Sequence, residues 1–379
     1  MKPVVFIHTN DSQLLGGKCA EWSFKAASKR PDAFEVRYLR VEETPALLAR
    51  EGHEFKRKGK VATWHNRDLQ SFTPLRFAPP QAMGFTGRAL VIDPDVFALC
   101  DVMELFERDM GGKALLCKWC ESYLGSKPFW ATSVMLLDCA KLTHWRFDAE
   151  IEALFAGRFD YGDWISLRRE APETIGRLEE EWNDFDRLTP ATKLIHMTER
   201  STQPWKTGLP VDFDTMYHGK DGKRPPPQLV DAAVRARREA QMRAGTPRKP
   251  GFLERVARKL GIAAPRAGGA ADGAAVAAAS APALSAAAAA ATAAGGEGTA
   301  RYLQNPDPEQ EKFFFTLLRG ALAAGLVTPE DLAENVRRDF VRHDAPRLLA
   351  ELPPFDYAGF LAGRWQRPAR AAAAGGGNG

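Results

Sequence analysis

The sequence lacks the cysteine pattern of a disulfide-stabilised or zinc-binding protein. It has five cysteines in 379 residues. An odd number without framework spacing favours a reducing compartment. Cys117 and Cys120 form a lone CxxC, and no second pair or histidine pair follows at zinc-site spacing. We interpret this pair as incidental.

Long hydrophobic runs are also missing. No stretch reaches the roughly 20 apolar residues that a membrane-spanning helix needs. The apolar run at the N-terminus ends at His8 and is too short for a signal peptide. We therefore expect a cytoplasmic protein.

The sequence has little net charge, +4 overall, and its basic excess is local. Residues 220–266 contain 13 Lys and Arg against 4 Asp and Glu. A basic connecting segment differs from a basic face on a folded body, so we expect no nucleic-acid partner.

Two carboxylates directly follow a short apolar run. Ala89–Ile92 is typical of a buried strand, and Asp93 and Asp95 come next, separated by Pro94. Ligands of open α/β sheets bind beyond the carboxyl ends of the strands. The pair is therefore a candidate site for Mn²⁺ or Mg²⁺, whose preferred ligands are oxygens. A solvated strand-end turn is the alternative.

The N-terminal region predicts a parallel α/β unit. Val4–Ile7 and Phe34–Val41 are typical of strands, and Cys19–Ser28 between them is typical of a helix. The loop after the first strand would lie at the same sheet edge as the acidic pair. Asn10 and Asp11 could hydrogen-bond a nucleotide there, or form an Asx turn.

Residues 46–60 are highly charged and predict a helix.

Three further charged or polar side chains are candidates for the site. Arg76 is a single charge in an apolar stretch, where it could balance phosphate or carboxylate, or could lie on the surface. His196 ends an apolar run, and a neutral imidazole is a good third ligand for Mn²⁺. Lys206, ten residues later, could reach a diphosphate.

Taken in order, these motifs resemble those of nucleotide-sugar glycosyltransferases of the A fold, most closely the glycogenin-like family 8. The resemblance covers about residues 1–212 and is carried by Asp93-x-Asp95, Ser133-Val-Met-Leu-Leu-Asp138, Trp182-Asn183 and His196…Gln203-Pro-Trp-Lys206. It implies an α/β fold with a mixed central sheet flanked by helices. It also implies a hexosyltransferase-like, retaining enzyme that uses a UDP-sugar and Mn²⁺ or Mg²⁺.

At the metal end, the resemblance assigns a role to each matching residue. Asp93 and Asp95 would bind the metal, with Asp93 also at the ribose or diphosphate. His196 would be the third protein ligand, and Lys206 would contact the diphosphate.

The resemblance also assigns roles at the nucleotide and sugar ends. Thr9, Asn10 and Asp11 would hold the uridine, Arg76 matches an arginine before the acidic strand, and Asp163 matches an acidic residue near the donor sugar.

The sequence departs from the family pattern at three places, two of them at its sugar end. Trp130-Ala-Thr-Ser133 replaces the usual Phe-Asn-Ser-Gly, Asp163-Trp164 replaces Asp-Gln, and Gln203 replaces a basic residue before Pro-Trp. The alternative function is therefore an inactive nucleotide-sugar-binding scaffold or regulator. A nucleotidylyltransferase is a weaker third hypothesis, because only Gly16-Gly17-Lys18 resembles its glycine-rich loop.

The chain divides by composition into five segments. We predict a catalytic domain at 1–219, a basic helical segment at 220–262 and an Ala/Gly-rich disordered linker at 263–300. A small helical module follows at 301–366, then a disordered tail at 367–379. Residues 228–262 could contact a membrane surface or remain solvated. The acceptor, whether glycan, lipid-linked glycan or protein, is not encoded in any motif.

Overall fold

A central β-sheet organises the computed structural model, which describes residues 1–121, 128–212 and 301–368. In chain order the strands are β1 (Val4–Thr9), β2 (Glu35–Arg40), β3 (Glu54–Arg57), β4 (Lys60–Thr63), β5 (Arg88–Ile92), β6 (Val96–Ala98), β7 (Leu115–Cys120), β8 (Phe129–Asp138), β9 (Ile175–Leu178), β10 (Asp184–Phe185) and β11 (Leu194–His196). The central strands β1, β5 and β8 are largely buried, and additional short strands lie beside the sheet.

The main sheet is mixed, with strand order β2-β1-β5-β8-β7-β9. Strands β2, β1 and β5 are parallel, whereas β8 runs antiparallel to β5 and β7. The expected parallel α/β unit at the N-terminus is confirmed. A second sheet of the described residues, in the order β10-β11-β6, lies next to the end of β5.

Helices cover both faces of the main sheet, so the predicted mixed α/β class is confirmed. Apolar side chains from alternate positions of β5 enter two separate cores, with Leu90 and Ile92 in one and Ala89 and Val91 in the other. The helices are α1 (Leu14–Ala27), α2 (Pro45–Leu48), α3 (Pro79–Ala82), α4 (Met103–Phe106), α5 (Phe147–Phe155), α6 (Tyr161–Ile165), α7 (Pro308–Ala323), α8 (Pro329–Arg337), α9 (Ala345–Glu351) and α10 (Tyr357–Leu361).

The helix predicted for residues 46–60 is wrong. Only α2 is helical, and the charged part forms the antiparallel hairpin β3–β4. Lys58 and Gly59 both adopt positive φ at the turn, with values of 53° and 74°, which a helix cannot accommodate. Phe55 is buried between exposed neighbours, the period-two pattern of a strand.

Asp160 connects this hairpin to α6. It caps α6 by accepting from the Gly162 N–H at 2.6 Å, and it accepts from the N–H groups of Lys58 at 2.9 Å and Gly59 at 2.7 Å. Burial opposes ionisation, but these amides lower the pKa of the carboxyl. Its stabilisation is therefore present above the unfolded-state pKa, about 4, and is lost as the pH falls through the lower folded-state pKa.

We expect Asp160→Ala to lower the free energy of unfolding by about 1–2 kcal/mol at pH 7, the usual effect of losing an N-cap. The difference from wild type should shrink below about pH 4. Urea unfolding at both pH values measures it. Asp32→Ala, at an exposed position, is the control. Equal stability of Asp160→Ala and wild type would contradict this account.

The C-terminal helices pack on the α/β body. Residues 1–212 and 301–368 belong to one compact unit. Phe313 and Phe314 of α7 share one apolar core with Phe97 of β6 and with Trp205. Helix α8 begins with a reciprocal capping box, which Thr328 and Asp331 form.

Helix α7 packs tightly against α1 at Gly320. A Cβ atom at this position would lie 2.2 Å from the Trp22 ring. We expect Gly320→Ala to destabilise the protein by about 1–3 kcal/mol through overpacking, although alanine favours helices by about 1 kcal/mol. Thermal unfolding measures it, with Ala323→Ser on the exposed face of α7 as the control. A stabilised Gly320→Ala would show that the two helices do not pack this closely.

The basic segment 220–262, the Ala/Gly-rich linker 263–300 and most of the tail 367–379 lie outside the described residues, and so does the predicted membrane contact of 228–262. Within the described part of the chain, no helix is both long and apolar enough to span a bilayer.

Candidate functional site

The strand connections bring Asp93, Asp95 and His196 together. Asp93 follows the carboxyl end of β5, and Asp95 precedes β6. Strand β11 pairs antiparallel with β6, with His196 opposite Val96. The candidate ligand atoms of the three side chains lie within 4.8 Å of one another. This grouping of two carboxylates and one imidazole can coordinate a divalent cation.

Asp93 is held by two buried cationic or polar partners. The Arg76 guanidinium donates to both carboxylate oxygens, with Nε 3.0 Å from Oδ1. His8 Nε2 lies 2.5 Å from Oδ1. Burial disfavours the charged form, but Arg76 and His8 together hold the pKa of Asp93 well below its usual range. Asp93 is therefore a fixed carboxylate.

Asp95 has free coordinating capacity. Its Oδ2 accepts from Gln203 Nε2 at 3.1 Å. Its Oδ1 lies 3.3 Å from His196 Nε2. Asp95 Oδ1 and Gln203 Oε1 are both buried, and neither has a hydrogen-bond partner among the described residues. Buried oxygens without partners are costly unless a ligand satisfies them. The donor set therefore fits a hard divalent cation.

His196 connects the cation site to the protein behind it. Its Nδ1 lies 3.0 Å from Asn183 Oδ1, and its Nε2 points toward the two carboxylates. Burial opposes protonation, but Asp95 and Asp93 raise the pKa of His196. A cation and a proton would therefore compete for Nε2.

A cavity of about 220 Å³ opens beside this group. The extra residues 132–134 of β8 interrupt its pairing with β7, and such bulges re-aim side chains. Thr132 thus reaches Arg76 at 2.9 Å, while Ser133 reaches Asn183 at 3.0 Å. The other lining residues include Gln13, Leu69, Gln70, Phe72, Phe129, Trp130, Ile165, Ser166, Phe185, Thr198, Arg200 and Gln203.

The predicted uridine loop does not line the cavity. Thr9 Oγ1 donates to the Asn10 carbonyl at 3.1 Å. The Asn10 amide donates to Ser71 Oγ at 3.1 Å, among other acceptors, and Asp11 pairs with Arg40 at 2.5 Å. These side chains shape the loop, and Gln13 faces the cavity instead.

Lys206 and Asp163 are not brought to the cavity either. Lys206 is fully buried and pairs with Asp212 at 2.6 Å. Asp163 is half-exposed and pairs with Arg168 at 2.9 Å. The neighbouring Trp164 stacks on a core phenylalanine at 4.6 Å, so it belongs to the core.

Several site residues were not predicted from the sequence. His8 directly precedes the predicted uridine loop. Its position at the end of β1, opposite β5, was a signal that could have placed it near Asp93. Arg200 lies between His196 and Gln203, so its position in that motif could have suggested it. Thr132 lies in the segment Trp130-Ala-Thr-Ser133 of the family pattern, but its orientation toward the cavity depends on the bulge.

Comparisons with known proteins find similarity only among solved structures. No protein-family model and no curated protein matches the chain. Similar solved structures include the apo form of the glycosyltransferase GlyE of Streptococcus pneumoniae TIGR4 (16% identity, TM-score 0.39, 55% of this chain and 57% of that one). Two others are the galactosyltransferase LgtC in complex with donor and acceptor sugar analogues (14%, 0.38, 54% and 89%) and the bifunctional glycosyltransferase WbbM (14%, 0.40, 54% and 47%). At these values the similarity alone carries no argument about activity.

Proposed function

We propose that this protein is a metal-dependent glycosyltransferase that moves a sugar from a UDP-sugar to an acceptor. The observation that carries the proposal is the group of Asp93, Asp95 and His196 beside a cavity, in which Asp95 Oδ1 is buried and has no hydrogen-bond partner among the described residues. Mn²⁺ or Mg²⁺ bound there would neutralise charge developing on the departing diphosphate. The proposal extends the sequence resemblance to family 8 glycosyltransferases.

Arg200 is our candidate for the cation that contacts the diphosphate. Lys206, the candidate from the sequence, is buried against Asp212. Arg200 lines the cavity on the loop that joins His196 to Gln203, so its position suits the same task.

In this proposal the donor lies along the cavity, whose lining includes Gln13, Gln70, Thr132 and Ser166. A retaining outcome is the favoured stereochemistry. Inversion needs a general base for the acceptor hydroxyl. Among the described cavity-lining residues, the only carboxylates are Asp93 and Asp95, and both belong to the metal group. The acceptor is a glycan, a lipid-linked glycan or a protein.

Titration calorimetry with UDP tests the proposal, with and without Mn²⁺. We expect binding that requires the metal, with weaker support from Mg²⁺. Thermal unfolding gives a second readout, because a ligand at a hundredfold excess over its Kd raises the free energy of unfolding by about 2.7 kcal/mol. GDP is the control nucleotide. Absence of metal-dependent UDP binding would exclude this function.

The second candidate is a nucleotide-sugar-binding scaffold without transferase activity. The location of Asp163 supports it, because this half-exposed residue is paired with Arg168 and does not line the cavity. Mass spectrometry of UDP-sugars incubated with the protein separates the two functions. Hydrolysis or transfer of a sugar would exclude the scaffold, and metal-dependent binding without turnover would favour it.

A further inference from the structure

Asn183 forms a buried bridge behind the metal group. It ends the short turn Glu180–Asn183 that precedes β10, and its side chain is fully buried. The Nδ2 group donates to Ser133 Oγ at 3.0 Å. Its Oδ1 lies 3.0 Å from His196 Nδ1. One amide thus connects the bulge of β8 to the histidine of β11.

The backbone of Asn183 is fixed by its neighbours. Lys118 Nζ donates to the Asn183 carbonyl at 3.0 Å and lies 4.1 Å above the ring of Phe185. Phe185 is opposite His196 in the parallel pairing of β10 with β11. Because these contacts hold the segment on both sides, the amide stays in register with the imidazole.

The amide orientation determines which imidazole nitrogen carries the proton. A neutral histidine has one N–H, and the second nitrogen offers a lone pair. An amide oxygen facing Nδ1 can only accept, so it places the proton on Nδ1. The lone pair of Nε2 then faces Asp95 Oδ1, at 3.3 Å. A histidine binds a metal only through such an unprotonated nitrogen, and its other nitrogen commonly donates to a fixed acceptor.

We propose that Asn183 is a positioning residue that holds neutral His196 in the Nδ1–H tautomer and presents Nε2 to a divalent cation. The part of this proposal that concerns a cation rests on the proposed function. The tautomer, in contrast, is a property of the metal-free protein. If the amide were reversed, Nδ2 would donate to Nδ1 and the proton would lie on Nε2, facing the carboxylates.

Nitrogen-15 NMR of the full-length, histidine-labelled protein without metal tests the tautomer. Measurement near pH 9 ensures a neutral ring, and a His196→Gln variant assigns the signals among the seven histidines. We expect Nδ1 of His196 to have the shift of a protonated nitrogen and Nε2 that of an unprotonated one. The opposite pattern, or an equal mixture, would overturn the proposal.

Mn²⁺ titrations followed by electron paramagnetic resonance test the consequence. We expect Asn183→Ala to weaken Mn²⁺ binding by about 10–100-fold, the usual loss for such a supporting partner. Asn183→Asp keeps an acceptor and should retain the Nδ1–H tautomer and bind Mn²⁺ at least as tightly as wild type. Asn335→Ala in α8 makes the same substitution outside the site and is the matched control. Circular dichroism confirms that each variant is folded.

The outcomes separate this inference from the proposed function. Unchanged Mn²⁺ affinity in folded Asn183→Ala would contradict it. If wild type binds no Mn²⁺, the metal-dependent function fails, while the metal-free spectrum still decides the role of Asn183. If Asn183→Ala does not fold, the wild-type spectrum and the folded Asn183→Asp variant decide it.

Discussion

Asp95→Asn is expected to reduce Mn²⁺ affinity and metal-dependent UDP binding by about 100-fold or more. Loss of a partner that only supports a metal ligand costs 10–100-fold, and this substitution removes a charged ligand itself. The fold should survive, because Asp95 Oδ1 has no hydrogen-bond partner among the described residues. The amide oxygen that the substitution retains can still accept from Gln203. Calorimetry with Mn²⁺, and with UDP in the presence of Mn²⁺, measures the effect.

Asp163→Asn is the matched control. It makes the same chemical change at a half-exposed carboxylate paired with Arg168, outside the cavity lining. We expect Mn²⁺ and UDP affinities within about threefold of wild type, since exposed ion pairs contribute only about 0–1 kcal/mol to stability. Loss of UDP binding in Asp163→Asn, with retention in Asp95→Asn, would show that Asp163, and not Asp95, is needed for UDP binding.

Asp93→Ala is expected to have the largest effect on stability, lowering the free energy of unfolding by about 3–5 kcal/mol. Removal of this carboxylate leaves the guanidinium of Arg76 buried without its ionic partner, and breaking a buried pair from one side has costs of this size. His8 would also lose its partner at 2.5 Å. Urea unfolding monitored by tryptophan fluorescence measures the change.

A double-mutant cycle measures the coupling energy between Arg76 and Asp93. Replacing both members, as in Arg76→Met with Asp93→Leu, should recover most of the stability that either single substitution loses, because no unpaired charge remains. Metal binding should be lost in the double variant. Additive destabilisation by the two changes would show that Arg76 and Asp93 do not form a coupled pair.

The loss of protein stability at low pH should depend on Asp93. Its folded-state pKa is lowered by Arg76 and His8 against the effect of burial. The contribution is therefore present above the unfolded-state pKa, about 4, and is lost as the pH falls. Below about pH 4, the stability of wild type should fall more steeply than that of Asp93→Ala. Parallel pH profiles would contradict this.

The fold class and the metal group could be read from the sequence for a local reason. Apolar runs that end in turn residues identify β1 and β5, and in a parallel pair their carboxyl ends lie at one sheet edge. Asp93, Asp95 and His196 were predicted together, and the structure brings them together. The hairpin β3–β4 was missed because a charged, lysine-rich stretch resembles a helix surface, and the turn at Lys58 and Gly59 has little other signal.

The remainder of the site depends on contacts between distant segments. The C-terminal region holds the loop that carries Arg200 and Gln203, since the Leu303 amide donates to the Ser201 carbonyl and the Arg342 amide donates to the Trp205 carbonyl, each at 2.7 Å. We predicted a small helical module at 301–366. The structure adds that its helices share a core with β6.

The sequence by itself determined an α/β protein with an acidic pair and a histidine at strand ends. These features follow from hydrophobic periodicity and from where strands stop. Only the tertiary structure decided which polar side chains face the cavity. A bulge in β8 turned Thr132 and Ser133 inward, and ion pairs directed Lys206 and Asp163 elsewhere. Side-chain direction changes with a one-residue shift of register, and such shifts are set by packing between segments far apart in the chain.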